Sequence, residues 1–250
     1  MIVSDEAIVL RNTDYRETSR ITRVYSKDHG KISLLSKGVK SPKKNLISVI
    51  QPLSRVSIEF YQKSSRALQL LKEASTVDSN VQIRDDIKKI MYGLSILEII
   101  DKATFGSSSD PTLYRLIRKT LDRLAGSDAS PIVLFQFFQV QLIKRAGFML
   151  GLSSCHSSQA TLEDGYFDFI AGELACARCT KDRNGTIVTR KDLSYIKELS
   201  NTNINDLDSY HKNNQDYPMK RVNKFLDTYM VFHINGTQNL RTLNRIRLDE

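Results

Sequence analysis

The chain changes its hydrophobic period once. Up to about residue 80, apolar side chains tend to recur at every second position, and beyond it at every third and fourth. A β-rich part must therefore be joined to a helical part, which makes the chain α+β. In residues 55–61, Val56, Ile58 and Phe60 alternate with Ser57 and Glu59, the pattern of a half-buried strand. Similar short runs occupy residues 6–11, 20–26, 31–37 and 66–73, and Asp28-His29-Gly30 supplies turn chemistry between the second and third. Five short strands in so little chain predict a closed or nearly closed barrel, an OB-fold first and an SH3-like barrel as the alternative.

The helical part begins with Asn80, the expected N-cap of a helix burying Ile87, Ile90, Met91, Leu94 and Leu97. Asp110-Pro111 and Ser130-Pro131 each put a capping side chain before a proline suited to a first helical turn. The first opens a helix with Leu113, Leu116, Ile117, Leu121 and Leu124 on its apolar face, and the second a helix over 131–148 with Leu134, Phe138 and Leu142. Residues 191–199, 218–234 and 239–246 also read as helical. Residues 151–184 break the period and hold every cysteine, so the expected organisation is a barrel over 1–80 and a helical domain over 81–250 carrying a cysteine module at 151–184. The most apolar stretch without a charge, 129–143, contains Gln136, Gln139 and Gln141 and falls short of the roughly 18 residues that span a bilayer. The acidic start lacks the basic region of an export signal, so no membrane is expected as partner and the cytoplasm is the expected compartment.

Lys and Arg number 37 against 28 Asp and Glu, a net charge of +9 that favours a polyanion as partner. The excess is local. Residues 1–80 hold 14 basic and 8 acidic side chains, whereas 151–180 hold 1 and 4. Lys37, Lys40, Lys43 and Lys44 share one loop without an acid, a composition that can track a phosphate backbone in a salt-sensitive, sequence-tolerant way. Arg16, Arg20, Arg23, Lys63 and Arg66 add charge on neighbouring strands and loops of the same barrel. Tyr15, Tyr25, Phe60 and Tyr61 are candidates for stacking on bases, with about half expected in the core.

Cys176-Ala-Arg-Cys179 has the spacing of a metal knuckle, with Cys155 upstream. The position three beyond Cys155 is Ser158, a poor ligand, and His156 and Glu163 lack the usual spacing. Structural zinc, unmetallated thiols and a redox pair remain open for Cys155, Cys176 and Cys179. No phosphate-binding loop, nucleophile elbow or zinc-protease motif occurs, and His29, His156, His211 and His233 are scattered, so neither an enzyme nor a nucleotide cofactor is expected. Phe135, Phe137, Phe138 and Phe148 read as core. With Lys144 and Arg145 beside them, an apolar groove for an acidic peptide tail is the second reading.

Taken in order, Tyr15-Arg-Glu-Thr-Ser-Arg-Ile21, Asp28-His-Gly-Lys31, Ser36-Lys-Gly-Val-Lys40, Gln51-Pro-Leu53, Leu71-Lys-Glu-Ala74, residues 148–152, residues 172–179 and Leu240-Arg-Thr-Leu243 resemble the bacterial recombination mediator family RecO along nearly the whole chain. The resemblance implies an N-terminal OB-fold, a helical C-terminal domain and, in many members, a four-cysteine zinc module. Ser158 stands where such members have the second cysteine, and Leu243 where a basic residue is often found. It further implies binding of single- and double-stranded DNA, strand annealing, engagement of the acidic tail of single-stranded DNA-binding protein, and work with the partner RecR to load recombinase. By motif it carries over to Arg16, Arg20, Lys37 and Lys40; the other basic residues rest on charge alone. An OB-fold RNA-binding protein and a zinc-dependent nuclease are the rival readings.

Overall fold

The computed structural model describes residues 1–39, 46–104, 106, 108–148, 152, 154–162, 164–170, 172–180, 186–208 and 219–242. They fall into two compact units, Met1–Gly126 rejoined by the chain at Leu240, and Ser127–Asn239.

In the first unit, β1 (Ile2–Tyr15), β2 (Ser19–Ser26), β3 (Gly30–Ser36), β4 (Arg55–Tyr61) and β5 (Leu68–Asp78) close into a barrel in the order β1-β2-β3-β5-β4, with the short helix α1 (Leu46–Val49) between β3 and β4. Only the β3–β5 pairing is parallel. This is the OB arrangement, and the SH3-like alternative is set aside. Closure depends on the length of β1. Ile2 to Ile8 pair with β4, Ala7 to Tyr15 pair with β2, and a bulge between Val9 and Arg11 bends the strand from one partner to the other. The expected alternation in β4 holds: Val56, Ile58 and Phe60 point inward to Ala7, Val9, Val24, Ile32, Leu34 and Leu71. The turn expected at Asp28-His29-Gly30 is fastened by the buried Asp5 carboxylate, which accepts from the Ser26 hydroxyl and the Asp28 amide and lies 2.9 Å from His29 Nδ1. Gly30 has φ +63, and a Cβ there would collide with the Ser108 carbonyl, so a side chain is excluded twice over.

Two helices complete the unit, α2 (Ile87–Ala103) and α3 (Pro111–Gly126). Asn80 is not the cap of α2. It sits left-handed before a 3₁₀ turn at Val81–Asp85 and donates its side-chain amide to the Leu53 carbonyl at 2.8 Å. The α2 cap is Asp86, accepting from the Lys88 and Lys89 amides. The buried face is correspondingly turned: Ile87 is exposed, Ile90, Met91 and Leu94 are half-buried, and Tyr92, Ile96, Leu97, Ile99 and Ile100 are buried. Asp110 caps α3 as expected, its Oδ1 accepting from the Thr112 and Leu113 amides at 3.1 Å.

The second unit is built on α4 (Pro131–Arg145), with α5 (Arg190–Asn201), α6 (Met219–His233) and a sheet of β6 (Gly165–Asp168), β7 (Glu173–Ala175) and β8 (Thr186–Val188) in the order β7-β6-β8. The glutamines that interrupt the apolar run of α4 bind its neighbours. Gln136 accepts from the Tyr195 hydroxyl and donates to the Met219 carbonyl, both at 2.7 Å, and Gln139 donates to Asp227 at 2.7 Å. A helix buried on every side needs such partners for its polar groups. α4 stops at Arg145, three residues short of expectation, and Gly147 follows at φ +84. Of the helix expected over 239–246, residues 243–246 lie outside the described residues. No described helix is long and apolar enough to cross a membrane.

Candidate nucleic-acid interface and cysteine cluster

Strand register sets where the candidate side chains lie around the barrel. Tyr15 pairs with Ser19, Arg20 with Ser36, Leu35 with Leu70, and Leu70 with Tyr61, which pairs in turn with Ile2, at the opposite end of β1 from Tyr15. The β1–β2 turn, the exit of β3 and the β4–β5 loop carry Arg16, Lys37, Lys63 and Arg66, all exposed. The β1–β2 and β4–β5 loops are those with which OB barrels grip oligonucleotides. Arg16 sits left-handed at φ 57 with its guanidinium 5.3 Å from the centre of the Tyr15 ring. Gln69 braces the β4–β5 loop, accepting from the Lys63 amide at 2.8 Å and donating to the Lys63 carbonyl at 3.0 Å, so Lys63 and Arg66 project from a tied loop. Of the four aromatic candidates, Tyr15 and Tyr61 are 38% and 41% exposed, whereas Tyr25 and Phe60 are each 1% exposed. Lys40, Lys43 and Lys44 lie outside the described residues.

The remaining candidates on β2 are engaged within the fold. Arg20 makes a two-point contact with Asp14 at 3.0 and 2.9 Å. Arg23 lies 2.9 Å from Asp101 of α2, whose side chain is only 5% exposed. Arg11 at 2.8 Å and Lys31 at 4.0 Å converge on the same carboxylate. Burial lowers the Lys31 pKa, against the opposing pull of Asp101. Asp101 thus occupies cations on the outer face of β1, β2 and β3, leaving less of their charge for a ligand. Arg11 and Lys31 carry no sequence signal of this role, because their shared partner is remote in the chain. Beside them a cleft of about 830 Å³ runs between β1 and α2, also lined by Lys102 and Arg241.

In the second unit the sulfurs of Cys155, Cys176 and Cys179 lie within 4.8 Å of one another. Each knuckle is a turn. Gln159 donates its amide to the Cys155 carbonyl at 2.8 Å, and Cys179 to the Cys176 carbonyl at 3.0 Å. The Cys176 amide also points at Cys155 Sγ, 3.4 Å away. The Ser158 hydroxyl, followed by the Ser158 and Cys176 amides, holds the Cys155 thiol below the usual range. Cys179 lowers Cys176, while Cys176 and then Cys155 raise Cys179.

Residues 1–80 match the family model Recombination protein O N terminal, and residues 84–241 match Recombination protein O C terminal. The chain belongs to the RecO family. The DNA repair protein RecO of Salinibacter ruber is 31% identical to it over 209 residues, 80% of each chain. That of Acetivibrio thermocellus is 26% identical over 96% of each chain, and that of Prosthecochloris aestuarii 26% over 100% of this chain and 99% of its own.

Cys155, Cys176 and Cys179 together could hold a metal ion. A tetrahedral zinc with sulfurs at about 2.3 Å needs them roughly 3.8 Å apart, so small closing movements would seat all three. The fourth corner is Ser158, its Oγ 3.9 Å from Cys176 Sγ. His156 does not replace it: Nε2 bonds the Ser157 hydroxyl at 2.8 Å, and Nδ1 faces Glu173 at 4.0 Å. Glu163 lies outside the described residues. Phe135, Phe137 and Phe138 are core, as expected, and Lys144 donates to the Ser200 carbonyl at 2.8 Å. Arg145 is exposed beside it.

Proposed function

We propose that this protein is a non-catalytic DNA repair and recombination mediator that binds single- and double-stranded DNA, promotes annealing, and with RecR helps load recombinase onto strands coated by single-stranded DNA-binding protein. The observation that carries this reading is membership of the RecO family along the chain, with exposed Arg16, Lys37, Lys63 and Arg66 on the turns and loops of the barrel and exposed Tyr15 and Tyr61 at its strand ends. Cations screen phosphates on two strands and so lower the repulsion that opposes annealing, while exposed aromatic faces stack on bases. Lys40, Lys43 and Lys44 extend the same footprint. Lys144 and Arg145 would meet the acidic tail of the strand-coating protein, and the cysteine cluster would hold zinc as a structural ion without a nucleotide. The protein would act in the cytoplasm, at the nucleoid.

The test is annealing of complementary strands coated with the cognate single-stranded DNA-binding protein, with and without its acidic tail. Acceleration that weakens without the tail supports the mediator reading, and no acceleration on either substrate ends it. Changing Lys37, Lys40, Lys43 and Lys44 together to Ala should weaken DNA binding and flatten its salt dependence. An unchanged slope removes that loop from the footprint.

A further inference from the structure

The cysteine cluster is asymmetric in two ways that coincide. Cys155-x-x-Ser158 repeats the spacing of Cys176-x-x-Cys179, so the two turns face each other with three sulfurs and one hydroxyl. Burial follows the same division: Cys155 is buried, Cys176 and Cys179 are half-buried, and Ser158 is exposed. The corner with the weakest donor is therefore the corner that solvent reaches. A neutral hydroxyl competes poorly with thiolate for a borderline-soft cation, and three protein ligands with a replaceable fourth is the pattern of exchangeable rather than closed zinc sites.

We infer that this chain holds zinc through Cys155, Cys176 and Cys179 and that the Ser158 corner is an exchangeable position that accepts a thiolate from solution. This rests on the reading of the cluster as a zinc module. Exchange involves no redox change. The incoming thiol loses its proton to solvent, its sulfur takes the fourth corner, and the oxygen ligand leaves that corner. The metal then ties the β6–β7 hairpin to the 155–158 turn with a strength set by the external ligand, which a four-thiolate site would not allow.

Cobalt(II) is the probe, because its visible ligand-field bands distinguish three thiolates plus oxygen from four thiolates. The full-length protein and Ser158→Cys are each loaded with cobalt and titrated with 2-mercaptoethanol. The unaltered protein should start with the three-sulfur spectrum and move toward that of Ser158→Cys as thiol is added, while Ser158→Cys stays fixed. In chelator competition Ser158→Cys should hold zinc tighter by about tenfold or more. A four-sulfur spectrum in the unaltered protein, or one that thiol leaves unchanged, overturns the exchangeable corner while leaving zinc binding intact. Absence of cobalt bands in the unaltered protein overturns the zinc reading itself, whatever Ser158→Cys does.

Discussion

Arg23 and Arg66 carry the same guanidinium in different surroundings. Arg23 faces a carboxylate that is 5% exposed, whereas Arg66 projects from a braced loop. Removing one partner of a buried charge leaves the other poorly compensated. Arg11 and Lys31 remain around Asp101, so Arg23→Ala should cost about 1–3 kcal/mol in denaturant unfolding and change the salt dependence of DNA binding little. Arg66→Ala should do the reverse, leaving the unfolding midpoint within about 0.5 kcal/mol and reducing the salt slope by roughly 0.7 on single strands. The opposite pattern would put the interface on the β2 face. The sequence made both arginines visible as charge but could not separate them, because the partner of Arg23 lies 78 residues away in another element. Tyr15 and Tyr61 show the converse case. That about half of four strand aromatics stay outside the core was legible, but which two was decided by register.

At the scale of elements, α2 carries a second long-range link. Glu98 accepts from the Arg241 amide at 3.0 Å, the Thr242 amide at 2.8 Å and the Thr242 hydroxyl at 2.6 Å, and so ties the returning chain to the barrel unit. Burial pushes the Glu98 carboxyl upward, but the Thr242 hydroxyl, the Thr242 amide and the Arg241 amide outweigh it, leaving the pKa below the ordinary value. A depressed carboxylate contributes stability that is complete above its unfolded pKa, about 4.3, and is lost as pH falls through the lower folded value. The stability difference between the protein and Glu98→Ala should therefore be constant from about pH 7 to 5 and shrink steadily below pH 4. A difference that grew on acidification would reverse the assigned sign. The existence of α2 was legible from its period, but its start and buried face were not. Asn80 and Asp86 are both acceptable caps; Asp86 caps α2, while Asn80 precedes the intervening 3₁₀ turn and donates its side-chain amide to the Leu53 carbonyl. Asp86→Ala should cost about 1 kcal/mol in thermal or denaturant unfolding, and Asn80→Ala should act through the loop at Leu53 instead of through helix content.

For the whole chain, the shift of period near residue 80 marks where the strands of the barrel end but not where its compact unit ends. The run Ala7-Ile8-Val9-Leu10 already breaks the two-residue alternation, a signal that β1 is covered on both faces. Ala7 and Val9 face the barrel core, while Ile8 and Leu10, on the opposite face, are 1% and 4% exposed. Tyr114 of α3 donates to Glu6 of β1 at 2.7 Å, and Asp101 of α2 gathers the cations of three strands. A barrel cut at residue 80 would lose these partners and leave Ile8 and Leu10 without the helices of their unit. Re-exposing two such side chains costs about 3–6 kcal/mol, a large part of the stability of a small domain. A fragment of residues 1–126 should accordingly melt cooperatively, and one of residues 1–80 should melt well below it or aggregate. Both are read by far-UV circular dichroism against the full chain. Equal melting temperatures for the two fragments would show that the barrel supports itself and that α2 and α3 are accessory to it.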